Sequence, residues 1–146
     1  MKAAVDSSVL VAALDVHQEH HAQCFDLLDL PGLTMLSHAV SECFSSLTGG
    51  RSGRRAPASL VTQALAASIL PAVKSCVLDA QEIVVALETA EKRGVRGGAV
   101  YDFLHLVAAK KSGAERLYTL DVSDFMAFRR HGDPDIVHPV NVGDPL

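Results

Sequence analysis

Short apolar runs alternate with longer segments whose apolar residues recur every three or four positions. Residues 2–6, KAAVD, read as a buried strand closed by an acid, and 8–14 as a short apolar helix. A second helix is expected over 18–30, with Phe25, Leu27 and Leu28 facing inward and Pro31-Gly32 stopping it. Residues 33–36, LTML, form the next strand, and Ser37 is the expected N-cap of a helix over 38–48. The segment GGRSGRRAP, residues 49–57, is a loop. Pro57 suits the first turn of a helix reaching about residue 68. Residues 69–78 hold a short edge strand, and Asp79 with Glu82 resembles a capping box that opens a helix to Arg93. After Gly94, Gly97 and Gly98 a strong helix covers 99–112 and stops at Gly113. A strand at 116–120, RLYTL, leads into a helical turn begun by Asp121 and Ser123, and 136–140 supplies a last strand.

Strands and helices in alternation specify an α/β fold with a mainly parallel sheet covered on both faces. No internal repeat or linker divides the chain, so 1–146 reads as one domain. In such sheets ligands bind beyond the carboxyl ends of the strands. Asp6 ends the first strand and Asp121 directly follows RLYTL. Glu42 and Asp102 fall in the first turns of helices that open on the same edge. Four acids distant in sequence thus converge, with Asp124 one turn beyond Asp121. Convergent carboxylates repel unless a positive charge sits between them, and hard divalent cations such as Mg²⁺ or Mn²⁺ meet that need.

Composition narrows the picture. Residues are 49% hydrophobic but only 5% aromatic, with no Trp, so the core must be built from Val, Leu and Ala. No apolar run approaches the ~20 residues of a membrane span. Asp6, Ser7 and Ser8 interrupt the apolar N-terminus, which argues against a signal peptide. Three cysteines without CxxC spacing imply reduced thiols, and together these features lead us to expect a soluble cytoplasmic protein. The net charge of −4 is not the footprint of a basic coat for nucleic acid, yet clustered carboxylates lower it by themselves. Basic residues are grouped, and Arg51, Arg54 and Arg55 are equally suited to RNA phosphates, to a partner protein or to a solvated loop.

The opening AVDSSVLVAAL, the segment SHAVSECFSSL and the run YDFLHLVAAKKSGAERLYTLDVSDF resemble, in order and spacing, the motifs of PIN-domain ribonucleases. Among the members of that family, the chain looks like the VapC toxins of bacterial toxin–antitoxin pairs. The resemblance implies a three-layer α/β/α sandwich and a Mg²⁺- or Mn²⁺-dependent endoribonuclease. It implies that Asp6, Glu42, Asp102 and Asp121 ligate the metal or its water, that Ser8 and Thr119 orient them, and that Asp124 supports. It also implies an RNA substrate, a small antitoxin partner that inserts a segment into the acidic pocket, and a homodimer. His105 and the Lys110-Lys111 pair depart from the Ala-rich helix usual in the family.

Other residues carry less. His17, His20 and His21 read as a surface turn rather than a metal site, His105 as a core or interface histidine, and Cys43 as an inert thiol. Two other functions stay open: a non-catalytic module on the same scaffold, and aspartyl phosphoryl transfer. The second lacks the expected Asp-x-Asp, since the chain reads Asp6-Ser7-Ser8.

Overall fold

The computed structural model describes residues 1–50 and 54–143. Five parallel strands form one sheet in the order β3-β2-β1-β4-β5. They are β1 (Ala3–Val5), β2 (Leu33–Leu36), β3 (Lys74–Cys76), β4 (Arg116–Tyr118) and β5 (Asp135–Val137). Seven α-helices surround them among the described residues: α1 (Ser7–Leu14), α2 (His21–Leu27), α3 (Ala39–Gly49), α4 (Ala58–Ala64), α5 (Ala80–Leu87), α6 (Ala99–Lys111) and α7 (Val122–Phe128). A π-helical turn, Leu65–Ile69, extends α4.

The pleat divides the core in two. Ala3 and Val5 of β1 join Leu33, Met35 and Tyr118 beneath α1 to α4, while Ala4 and Leu117 point to the opposite face beneath α6 and α7. Both faces are covered, as a parallel sheet requires, and the result is the expected three-layer α/β/α sandwich. No described helix is long and apolar enough to cross a membrane. All three cysteines are free.

The element order follows the sequence reading, and the boundaries differ for local reasons. The second helix starts late because Asp15 accepts from the His17 backbone (3.0 Å) and the Gln18 side chain (3.3 Å), holding a turn there. Its inner stripe is Cys24 and Leu27, and Phe25 faces outward at 53% exposure, against expectation. Ser37 does not cap α3, because its N–H continues the β2–β3 ladder to the Cys76 carbonyl; His38 takes the cap position with no side-chain bond. Pro57 precedes α4 instead of lying in its first turn. The Asp79–Glu82 capping box forms as read, but α5 ends at Leu87 rather than running to Arg93. Arg93 is drawn instead to Asp133 and to the Phe128 carbonyl. The last strand stops at Val137, before Pro139 opens a 3₁₀ turn, Pro139–Asn141.

Candidate active site

The sheet order sets the location. From β1 the chain winds outward through β2 to β3, then crosses to β4 on the other side of β1 and continues to β5. The carboxyl ends of β1 and β4 therefore flank the point where the winding reverses, and doubly wound sheets open a crevice there. Asp6 follows β1 and Thr119 follows β4.

Asp6 is buried and fully engaged. Its Oδ1 accepts from Ser8 Oγ at 2.6 Å and from the Val9 N–H at 3.3 Å, which makes it the N-cap of α1. Its Oδ2 accepts from Thr119 Oγ1 at 2.6 Å. Ser8 and Thr119 also accept backbone N–H groups beyond β4, from Leu120 at 3.0 Å and Asp121 at 2.9 Å. Those two bonds take the N–H groups of Leu120 and Asp121 out of the ladder, and β4 ends at Tyr118, before the expected residue 120. Burial raises the Asp6 pKa, and the charge of His105 with the two hydroxyls opposes that rise.

Glu42 stands in the first turn of α3, half-buried. His105 Nε2 donates to its Oε1 at 2.7 Å and Ser7 Oγ to its Oε2 at 3.3 Å. Burial works against the ionised carboxyl, but the His105 bond and charge, with the charge of His38 and the Ser7 bond, outweigh it and hold the Glu42 pKa below the ordinary value. His105 is buried, which disfavours its cation, yet the bond to Glu42 and the charges of Asp6 and Asp102 hold its pKa above the ordinary value. Its Nδ1 is buried without a hydrogen-bond partner.

Asp102 lies in the first turn of α6, one turn before His105. Its pKa is pushed up to about 6, by burial first and then by the negative charges of Asp6, Asp121 and Asp124. Asp121 sits at the N-cap position of α7 without capping it, and its pKa is raised by lost hydration and by Asp124 in the same first turn. The structure thus brings Asp6, Asp102, Asp121 and Asp124 into one field, with Glu42 joined through His105.

Among the described residues no three His, Cys, Asp or Glu side chains are gathered into a ready-made coordination group. The donor chemistry nonetheless fits a hard divalent cation. The acids are all oxygen donors, and a cation would relieve the repulsion that Asp6, Asp121 and Asp124 exert on Asp102, which His105 opposes only in part.

Two residues in this arrangement were not singled out from sequence as site residues. Ser7 was read only as a break in the apolar N-terminus and as the residue after Asp6. His105 is buried as expected of a core histidine, but it also bonds Glu42. Its spacing of three from Asp102, which places both on one helix face, was the available signal. The Arg-rich loop stands apart from the acids where it is described: Arg55 Nε reaches the Gly50 carbonyl at 3.5 Å, and Arg54 lends positive charge to Asp15. Arg51 lies outside the described residues. His17 is exposed, while His21 Nδ1 approaches the Ala12 carbonyl at 2.8 Å. The Cys43 thiol is buried and pushed up to about 12, which suits an inert side chain.

Residues 3–130 match the family model described as the PIN domain. The chain belongs to the PIN-domain family. That span contains Asp6, Ser8, Glu42, Asp102, Thr119, Asp121 and Asp124. No curated protein matches the PIN chain significantly in sequence. Solved structures share its fold at low identity. Mycobacterium tuberculosis VapC20, a sarcin-ricin loop cleaving toxin, superposes with a TM-score of 0.67 at 20% identity, over 91% of this chain and 100% of that one. FitAcB from Neisseria gonorrhoeae gives 0.67 at 20% identity, over 96% and 99%. VapBC2 from Rickettsia felis, bound to a DNA fragment from its promoter, gives 0.64 at 14% identity, over 94% and 98%.

Proposed function

We propose that this PIN-domain protein is a metal-dependent endoribonuclease and the toxin of a type II toxin–antitoxin pair. The observation that carries the reading is the set of acids at the β1/β4 crevice, where burial first, and then the charges of Asp6, Asp121 and Asp124, push Asp102 up to about 6. Membership in the family, and a fold shared with a protein named as a sarcin-ricin loop cleaving toxin, support it.

In this reading Asp6, Glu42, Asp102 and Asp121 hold Mg²⁺ or Mn²⁺. When bound, such a cation supplies an activated water and stabilises the leaving oxygen of a phosphodiester. The residues of the chain do the positioning. Ser8 and Thr119 fix both oxygens of Asp6, so its orientation is set before anything binds. His105 and Ser7 do the same for Glu42, and Asp124 adds negative charge at the rim. A buried, triply bonded Asp6 suits a fixed ligand better than a free nucleophile, which favours hydrolysis over aspartyl phosphoryl transfer. The same reading gives the protein an RNA substrate, an antitoxin partner, a homodimeric state and a place in the cytoplasm.

The deciding experiment is cleavage of a total RNA pool by purified protein with Mn²⁺, with EDTA, and with Asp102→Asn. Cleavage by the unaltered protein with metal alone is expected. A folded protein that binds metal poorly and cuts nothing would turn the reading toward a non-catalytic module.

A further inference from the structure

Beside the acids, α3 and α6 frame a cleft that the hydrolytic chemistry does not use. His38 immediately precedes α3 and Tyr101 lies in the first turn of α6. Their rings face one another with planes 19° apart and centroids 6.3 Å apart. The pair borders two hollows. One, of about 430 Å³, has Leu36, Ile83 and Leu104 in its wall together with the hydroxyls of Ser37 and Ser41. The other, of about 500 Å³, is walled by Glu42, Ser45 and Ser46. Glu42 therefore belongs both to the acid cluster and to the edge of this cleft.

Aromatic residues are scarce, with two Tyr, five Phe and no Trp. Tyr118 and three of the phenylalanines are buried in the core, whereas Tyr101 is 57% exposed, next in sequence to Asp102. An apolar wall with hydroxyls along it and two nearly parallel rings matches a heteroaromatic base, which has flat apolar faces and hydrogen-bonding edges. Unpaired bases of single-stranded RNA stack on exposed aromatic side chains in this way.

We propose that His38 and Tyr101 form a stacking platform for one unpaired base of single-stranded RNA, adjacent to the acids, and so help to set which sequence is cut. The proposal deepens the nuclease reading and rests on it for the cutting step alone. His38 is one helical turn before Glu42 and Tyr101 one residue before Asp102, so a base seated here places its own phosphate close to both carboxylates.

Two readouts keep the platform and the nuclease separate. In the first, a single-stranded oligoribonucleotide carrying a fluorescent purine analogue is titrated onto the Asp102→Asn protein. Stacking quenches the analogue. Adding Tyr101→Ala is expected to weaken binding roughly tenfold and relieve the quench, and Tyr101→Phe is expected to restore both. In the second, the catalytically intact protein cuts RNA, and Tyr101→Ala raises KM and broadens the cut sites while kcat changes little; His38→Ala broadens the cut sites likewise. Cleavage with KM, cut sites and quench all indifferent to both rings would overturn the platform and leave the nuclease standing. A Tyr101-dependent quench in a protein that cuts nothing would uphold base stacking and remove the nuclease. Absence of both signals would overturn both.

Discussion

His105 Nε2 stands 2.7 Å from Glu42 Oε1, joining the interior of α6 to the first turn of α3. The histidine side chain is 1% exposed and the glutamate 25%, so little water is available to replace either partner. Changing His105 to Ala leaves Glu42 with only its longer bond from Ser7. A cost of about 1–3 kcal/mol is expected, read by urea unfolding, with partial recovery in His105→Gln. The pH dependence has two limbs. The His105 contribution is full below its ordinary 6.5 and is lost as pH rises through its raised folded value. The Glu42 contribution is full above its ordinary 4.5 and is lost as pH falls through its lowered one. The gap between wild type and His105→Ala should thus be widest between 4.5 and 6.5.

Asp102 has the opposite sign. Its folded value of about 6, against an ordinary 3.8, means that the metal-free fold resists ionising it. The stability it contributes is present below 3.8 and lost as pH rises through about 6. Without metal, Asp102→Asn should melt higher than wild type near neutral pH and alike at about pH 4. Millimolar Mn²⁺ should invert the order at neutral pH, because the wild type then gains a ligand of the folded state and the variant gains less. A melting temperature that ignores Mn²⁺ in both would remove the metal site.

Thr119 donates to Asp6 at 2.6 Å while accepting the Asp121 N–H at 2.9 Å. Thr119→Val keeps the shape and removes both bonds. A loss of about 1–3 kcal/mol is expected, because Asp6 Oδ2 is left buried and unpaired. Metal affinity, measured by calorimetry, should fall by roughly tenfold or more, as it does when groups that orient metal ligands are deleted.

Much of this was legible beforehand because it depends on short-range rules. Asp6 after an apolar strand, Asp102 in the first turn of a glycine-preceded helix and the Asp79–Glu82 capping box are local signals, and the structure contains each. The parallel sheet followed from strands and helices in alternation. What escaped depends on partners distant in sequence. Nothing near His105 announces Glu42, 63 residues away. Nothing near Ser37 announces the Cys76 carbonyl that takes its N–H and shifts the start of α3. Phe25 misled because inward and outward positions on a two-turn helix differ by a single residue of phase.

The Arg-rich loop gives a further test of the RNA reading. Arg54 and Arg55 bond none of the acids, so any contribution to RNA must come through phosphates along an approach path. Arg51, Arg54 and Arg55 changed together to Ala should flatten the dependence of log affinity on log salt by roughly 0.7 for each phosphate no longer neutralised. An unchanged slope would take the loop off that path.

The bond from Thr119 to Asp6 spans 113 residues. Its consequence lies in the timing of synthesis. A ribosome that has delivered the first hundred residues has made Asp6 and Glu42 but neither Thr119 nor Asp121. Until β4 emerges and pairs with β1, the acids have no common crevice and Asp6 lacks the donor that fixes one of its oxygens. If the chain is the proposed ribonuclease, its acids cannot act together until β4 has left the ribosome, a built-in delay for a protein whose proposed substrate is RNA.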